Sequence, residues 1–135
     1  LKEKQAPIVG AMAENNMWIY SPPDPEFVEA TLKKITDMGF EIAPSETVVG
    51  IDENHPVFSE NYIPRVELLT LPSGISSDQK QAEIFAMLLD VALDNGATYF
   101  GFGSASDSTA DMFDQNQKPK IAYFEVLKVL YEHIP

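Results

Sequence analysis

Glu46 stands inside the stretch EIAPSETVVG (41–50), where Ile42, Ala43, Val48 and Val49 read as a buried strand. A surface carboxylate needs no such setting. Held in apolar surroundings, a carboxylate is either a reactive group, as nucleophile or proton carrier, or a strand-end charge satisfied by backbone N–H donors. Glu14 and Asn16 follow an earlier apolar run, PIVGAMA (7–13), so a second carboxylate arrives from a neighbouring strand. Two carboxylates brought close raise one pKa, as like charges do, while a solvated pair asks less of the fold. Both readings stay open at this level. His55 lies in a loop and His133 near the C-terminus, and neither has ligand company in the sequence, so no metal site is expected. No cofactor is expected either: Gly101 and Gly103 open no helix, and no glycine-rich phosphate loop occurs.

Composition narrows the partners. The 135 residues suit one domain, and 44% apolar residues with a mean hydropathy of −0.13 suffice for a core. A net charge of −12, from 21 acidic against 9 basic residues, argues against nucleic acid and against anionic membranes. The absence of cysteine excludes disulfides and thiolate metal sites. No stretch is long and apolar enough to span a membrane, and the opening LKEKQAPIVG has no signal-peptide run.

Three strands and three helices must position these groups. The expected strands are 7–13, the stretch around FEIAPSETVVGI (40–51), and ATYFGFG (97–103). Asp24, Pro25 and Glu26 write the start of the first helix, with Phe27, Val28, Leu32, Ile35 and Met38 as its core stripe and Gly39 as its stop. Ser77-Asp78 caps the second helix, which carries Ala82, Phe85, Leu88, Leu89 and Ala92 to Asn95-Gly96. The last runs from about Pro119, with Ala122, Tyr123, Val126, Leu127 and Leu130 on one face. The long proline-containing stretch from Asp52 to Ser76 is unusual enough to suggest a functional loop. Alternating strands and helices predict right-handed crossovers and a parallel α/β sheet, either a (β/α) barrel or a doubly wound sheet. The polar runs ENN, SET and SASDS, at or after successive strands, fall where both architectures keep their active sites.

The segments APIVGAMAENN, DPEFVEATLKKITDMGFEIAPSETVV, QAEIFAMLLDVALDNGATYFGFG and MFDQNQKPKIAYFEVLKVL, in that order, resemble the last part of glycoside hydrolase family 10, the endo-β-1,4-xylanases. The resemblance covers nearly the whole chain. It implies that residues 1–135 form a single partial barrel: the C-terminal βαβαβα portion, strands six to eight, of a TIM (β/α)8 barrel with helices on the outer face. It implies further that Glu46, at the glutamate of the family's TELD motif, is the nucleophile position. Glu14 and Asn16 fall where the family has a Gln-x-His pair that serves the sugar, Phe100-Gly101 falls at its WG, and Trp18 and Tyr20 are candidates for stacking on a sugar ring.

Departures accompany these matches. Ser45-Glu46-Thr47-Val48 lacks the aspartate of TELD, the substrate-facing tryptophan has no counterpart near Asp107, and no N-E-P motif with the acid/base glutamate occurs. The resemblance therefore implies a secreted parent that hydrolyses xylan, a polysaccharide or oligosaccharide partner, and an isolated chain without activity. The alternative is a non-catalytic carbohydrate-binding or structural relative. A three-strand portion with open sheet edges is also expected to self-associate or to need the missing N-terminal part of the barrel.

Overall fold

A computed structural model of the chain describes residues 10–18, 22–51, 74–103 and 112–134. Its elements are strand β1 (Gly10–Trp18), helix α1 (Pro25–Asp37), strand β2 (Glu41–Gly50), helix α2 (Ser77–Asp94) and helix α3 (Ile121–His133). The long loop of the sequence reading, 52–73 in particular, lies outside the described residues, as do Tyr20, His55 and Asp107.

The helix boundaries follow from local chemistry. Asp24 caps α1 by accepting from the Glu26 N–H at 3.0 Å, Pro25 occupies the first turn where its missing N–H costs nothing, and Gly39 leaves the helix at φ 76°. Ser76, one residue before the expected cap, caps α2 in a reciprocal box. Its hydroxyl accepts from the Gln79 N–H at 3.2 Å, and its own N–H donates to Gln79 Oε1 at 2.9 Å. Gly96, at φ 81°, follows the end of α2.

β1 and β2 pair in parallel, from Gly10 opposite Glu41 to Trp18 opposite Gly50. Helices pack on the face of β2 that carries Ile42 and Val49. Leu32 of α1 and Ala92 of α2 meet Ile42 and Ala97, whereas Ala82, Phe85, Leu88 and Leu89 of α2 and Ala122 and Val126 of α3 surround Val49. α2 is the central helix, in contact with α1 on one side and α3 on the other. Gln81, fully buried, donates from Nε2 to the Val49 carbonyl and so ties the helix layer to the strand.

Three expectations need correction. The first strand does not end at 13 with ENN after it: β1 runs on through Glu14 and Asn16 to Trp18. The 97–103 stretch forms no full strand but one parallel bridge, Thr47 to Phe102, with a few backbone hydrogen bonds around it. The helix stripes are only partly core. Phe27 and Met38 are exposed at 70% and 58%, because Val28, Leu32 and Ile35 already fill the buried sector of α1. On α3 the buried line is Ala122, Val126 and Val129, leaving Leu130 at the surface.

Candidate active site

Glu46 occupies an irregular place in the sheet. On the β1 side, Glu14 pairs with Ser45 but Asn16 pairs with Val48, so β2 spends one residue more than its partner over this interval. On the other side, the Gly101 N–H donates to the Pro44 carbonyl at 2.7 Å and the Gly101 carbonyl accepts from the Thr47 N–H at 2.9 Å. A regular parallel ladder would receive that second bond from residue 46. Both ladders therefore locate one extra residue between Ser45 and Thr47, which is a β-bulge with Glu46 at its centre. Regular pairing with the third segment resumes at once, as the Gly103 N–H donates to the Thr47 carbonyl at 2.8 Å.

The bulge also changes which side residues face. With strict alternation Ile42 and Val49 would point to opposite faces, yet both are buried against the helix layer. The phase flips between them, at the bulge. Ser45 and Thr47, which flank Glu46, are themselves buried, at 8% and 0% exposure. Short polar side chains thus bracket the glutamate in a strand whose other buried members are apolar.

Two glycines allow the third segment to come this close. A Cβ at Gly101 would lie 3.3 Å from the Ser45 Cα, and one at Gly103 would overlap Val48 Cγ1. Phe100 and Phe102, alternating with these glycines, pack toward the helices. Phe102 sits 5.9 Å from the buried Phe85 ring and 5.0 Å from Phe100, centroid to centroid. Phe100, expected at the sugar, is half-buried against both core clusters.

The remaining candidates divide. Glu14 stands in register with Ser45, Asn16 with Val48, and Trp18 ends β1 opposite Gly50. The backbone therefore gathers Glu14, Asn16 and Glu46 into one stretch of two adjacent strands, with Trp18 at the end of β1. No residue pattern within 41–50 announces the bulge, and Pro44, which cannot donate from its nitrogen, does not locate it.

Two further sites were missed or misread. The MFDQNQKP stretch is a tight turn built by Asp114, whose Oδ1 accepts from the Asn116 and Lys118 N–H groups at 2.8 and 2.9 Å. Those backbone donors, with the Lys118 bond foremost, hold the Asp114 carboxyl below its ordinary range. Gln117 takes the left-handed conformation at φ 62° and Phe113 bridges Pro119, so the turn delivers the chain to the start of α3. His133 does have ligand company, contrary to expectation: its Nε2 lies 2.8 Å from Asp90 Oδ1 and 3.9 Å from Asp94 Oδ1. Asp90 and Asp94 are one helical turn apart on α2, a proximity that only the packing of α3 creates. The trio is solvent-exposed, and a histidine–carboxylate hydrogen bond accounts for its geometry.

No family model matches the chain. No curated protein matches its sequence either. Solved structures do match in fold. Xylanase 10B from Thermotoga petrophila, in complex with xylobiose, superposes with a TM-score of 0.75 over 99% of this chain and 39% of its own, at 22% identity. A family 10 endoxylanase from a sugarcane soil metagenome gives 0.71 over 95% of this chain and 41% of its own, at 23% identity. A variant of xylanase 10C from Cellvibrio japonicus, in complex with xylopentaose, gives 0.71 over 97% and 29%, at 15% identity. The fold is thus that of a part of the family 10 xylanases, and the chain spans well under half the length of these structures.

Proposed function

We propose that this chain is the nucleophile-bearing portion of a xylanase-like retaining glycoside hydrolase, with Glu46 as the nucleophile. The observation that carries the reading is the bulge. An extra residue inserted into a buried parallel strand is a costly irregularity, and such bulges recur where a side chain must be re-aimed beside an active site. Here the inserted residue is the carboxylate inside β2, the other, Glu41, standing at the strand's exposed first position, and it is flanked by buried Ser45 and Thr47 and anchored by ladders on both sides. A glycosidic nucleophile needs this kind of anchoring, because attack on the anomeric carbon requires the carboxylate to be fixed against one face of the sugar ring.

In this reading Glu14 and Asn16 on β1 serve the sugar hydroxyls nearest the attacked carbon. Trp18 offers an apolar ring to the next sugar. The substrate is a β-linked pentose polymer or oligomer of the xylan type, a choice supported by the xylobiose and xylopentaose bound to proteins of like fold. Xylan lies outside the cell, so the parent is proposed to be secreted. A retaining mechanism needs a second carboxylic acid about 5–5.5 Å from the nucleophile, first to protonate the leaving oxygen and then to activate water. With no N-E-P counterpart in these residues, the chain alone is proposed to be inactive.

The test is Glu46→Gln in a protein carrying this segment within a complete barrel. The variant keeps the shape of the side chain and removes its nucleophilicity. Hydrolysis of xylan should fall on the order of 10⁴- to 10⁶-fold while circular dichroism and thermal unfolding stay unchanged. Turnover like that of the unaltered protein would overturn the assignment.

A further inference from the structure

Tyr99 stands on the third segment, two residues before Gly101. Phe100 and Phe102 pack against the core beneath the helices, so alternation puts Tyr99 and Gly101 on the opposite face of the sheet. The ring's own position agrees with that placement. A Cβ at Gly101 would lie 3.0 Å from the Tyr99 phenol oxygen and 3.2 Å from its Cε1, so the hydroxyl end of the ring is seated against the bare Cα of Gly101. The same point is 3.3 Å from the Ser45 Cα. Gly101 is also the residue whose N–H and carbonyl reach Pro44 and Thr47 across the bulge. The Tyr99 hydroxyl therefore stands level with the residue that the bulge inserts, on the flank of β2 away from β1, where Glu14 and Asn16 come into register. Tyr99 is 56% exposed, and among the described residues it joins neither core cluster, so packing does not account for its ring.

We propose that Tyr99 is a substrate-binding residue of the Glu46 site, its hydroxyl hydrogen-bonding a hydroxyl of the sugar that Glu46 attacks, from the side opposite β1. The inference rests on the reading of Glu46 as nucleophile of a xylan-type substrate. A phenol can both donate to and accept from a sugar hydroxyl, while the body of its ring offers an apolar surface to sugar C–H groups. Gly101 supplies the seat. Any side chain there would push the phenol away from β2, whereas the glycine lets the hydroxyl rest beside the bulge before a sugar arrives, which lowers the ordering cost of binding.

The test uses the complete-barrel protein in which Glu46→Gln is examined, with xylopentaose as the ligand. Tyr99→Phe keeps the ring and removes only the hydroxyl. KM should rise roughly three- to tenfold with kcat held within about twofold, as for a contact made equally in ground and transition states. Tyr99→Ala, which removes the ring as well, should raise KM further. The urea midpoint of Tyr99→Phe should match that of the unaltered protein, because an exposed hydroxyl supports no core. Calorimetric binding of xylopentaose in the Glu46→Gln background separates this inference from the nucleophile assignment, and Tyr99→Phe should weaken binding there by the same factor. Undiminished turnover in Glu46→Gln, with weakened binding in Tyr99→Phe, would overturn the nucleophile reading and uphold the sugar contact. Unchanged KM and binding in Tyr99→Phe would overturn the contact and leave Glu46 its role. A fall in kcat at unchanged KM would also overturn it, since the hydroxyl would then act on the reacting centre instead of the bound sugar.

Discussion

α2 and β2 are both buried, yet they are built on opposite terms. α2 is regular from its Ser76 capping box to Gly96, and its buried side is a dry surface of Ala82, Ile84, Phe85, Leu88, Leu89 and Ala92 with one hydrogen-bonded exception, Gln81. β2 is irregular at its midpoint: it buries Ser45 and Thr47, includes a proline, and inserts Glu46 out of step with both neighbouring ladders. The difference separates a segment that follows its local preferences from one that departs from them. A helix that only fills space can obey every local preference, whereas a strand that breaks its own alternation must rely on its neighbours to hold the break.

If that division holds, the largest stability effect belongs to α2. Phe85 is fully buried and touches Phe102 of the third segment. Phe85→Ala should cost about 3–5 kcal/mol, read as a lower urea midpoint. A loss under 1 kcal/mol would show that the helix layer is not the main store of stability.

Gly103→Ala probes the other side of the comparison. The new Cβ would overlap Val48 Cγ1, and the branched Val48 side chain has little rotameric freedom with which to yield. The expected cost is about 1–3 kcal/mol, with faster exchange of the Thr47 and Gly103 amides that join β2 to the third segment. An unchanged exchange pattern would mean that the third segment does not brace the bulge.

The smallest effect sharpens the comparison through pH. Backbone N–H donors hold the Asp114 carboxyl below its unfolded value, so the folded state binds that proton less readily than the unfolded one. Its contribution is therefore full above the unfolded pKa and is lost as pH falls through the lower, folded value. Asp114→Asn should narrow the stability difference from the unaltered chain as pH drops from neutrality to below the ordinary aspartate range. A difference independent of pH would assign the turn to shape rather than charge. Asp114 lies outside β2, and its titration should leave the Thr47–Gly101 pairing untouched.

The helices were legible from sequence because their signals are local. Asp24-Pro25-Glu26, Ser77-Asp78, one residue late for the Ser76 cap, and the glycines at 39 and 96 act within a turn of where they stand, and the structure reproduces each boundary to within about two residues. The parallel pairing of β1 and β2 followed from the strand–helix–strand order, through a handedness rule that needs no distant information. The position of Glu46 as a candidate came from its apolar surroundings and from a family resemblance.

What the sequence could not yield depends on partners far along the chain. Helical spacing alone nominated Phe27, Met38 and Leu130 for the core, but the width of the buried stripe is set by how closely α1, α2 and α3 pack, which leaves all three exposed. His133 meets Asp90 only because α3 lies against α2. The bulge is the clearest case. Residues 41–50 could alternate without interruption, and nothing in their order says that they do not. Ser45 pairs with Glu14 from one strand while Gly101 spans Pro44 to Thr47 from the other side, and only both ladders together leave Glu46 as the residue without a place in the step. Strand register is decided by hydrogen bonds between segments dozens of residues apart, so the tertiary structure alone could decide it.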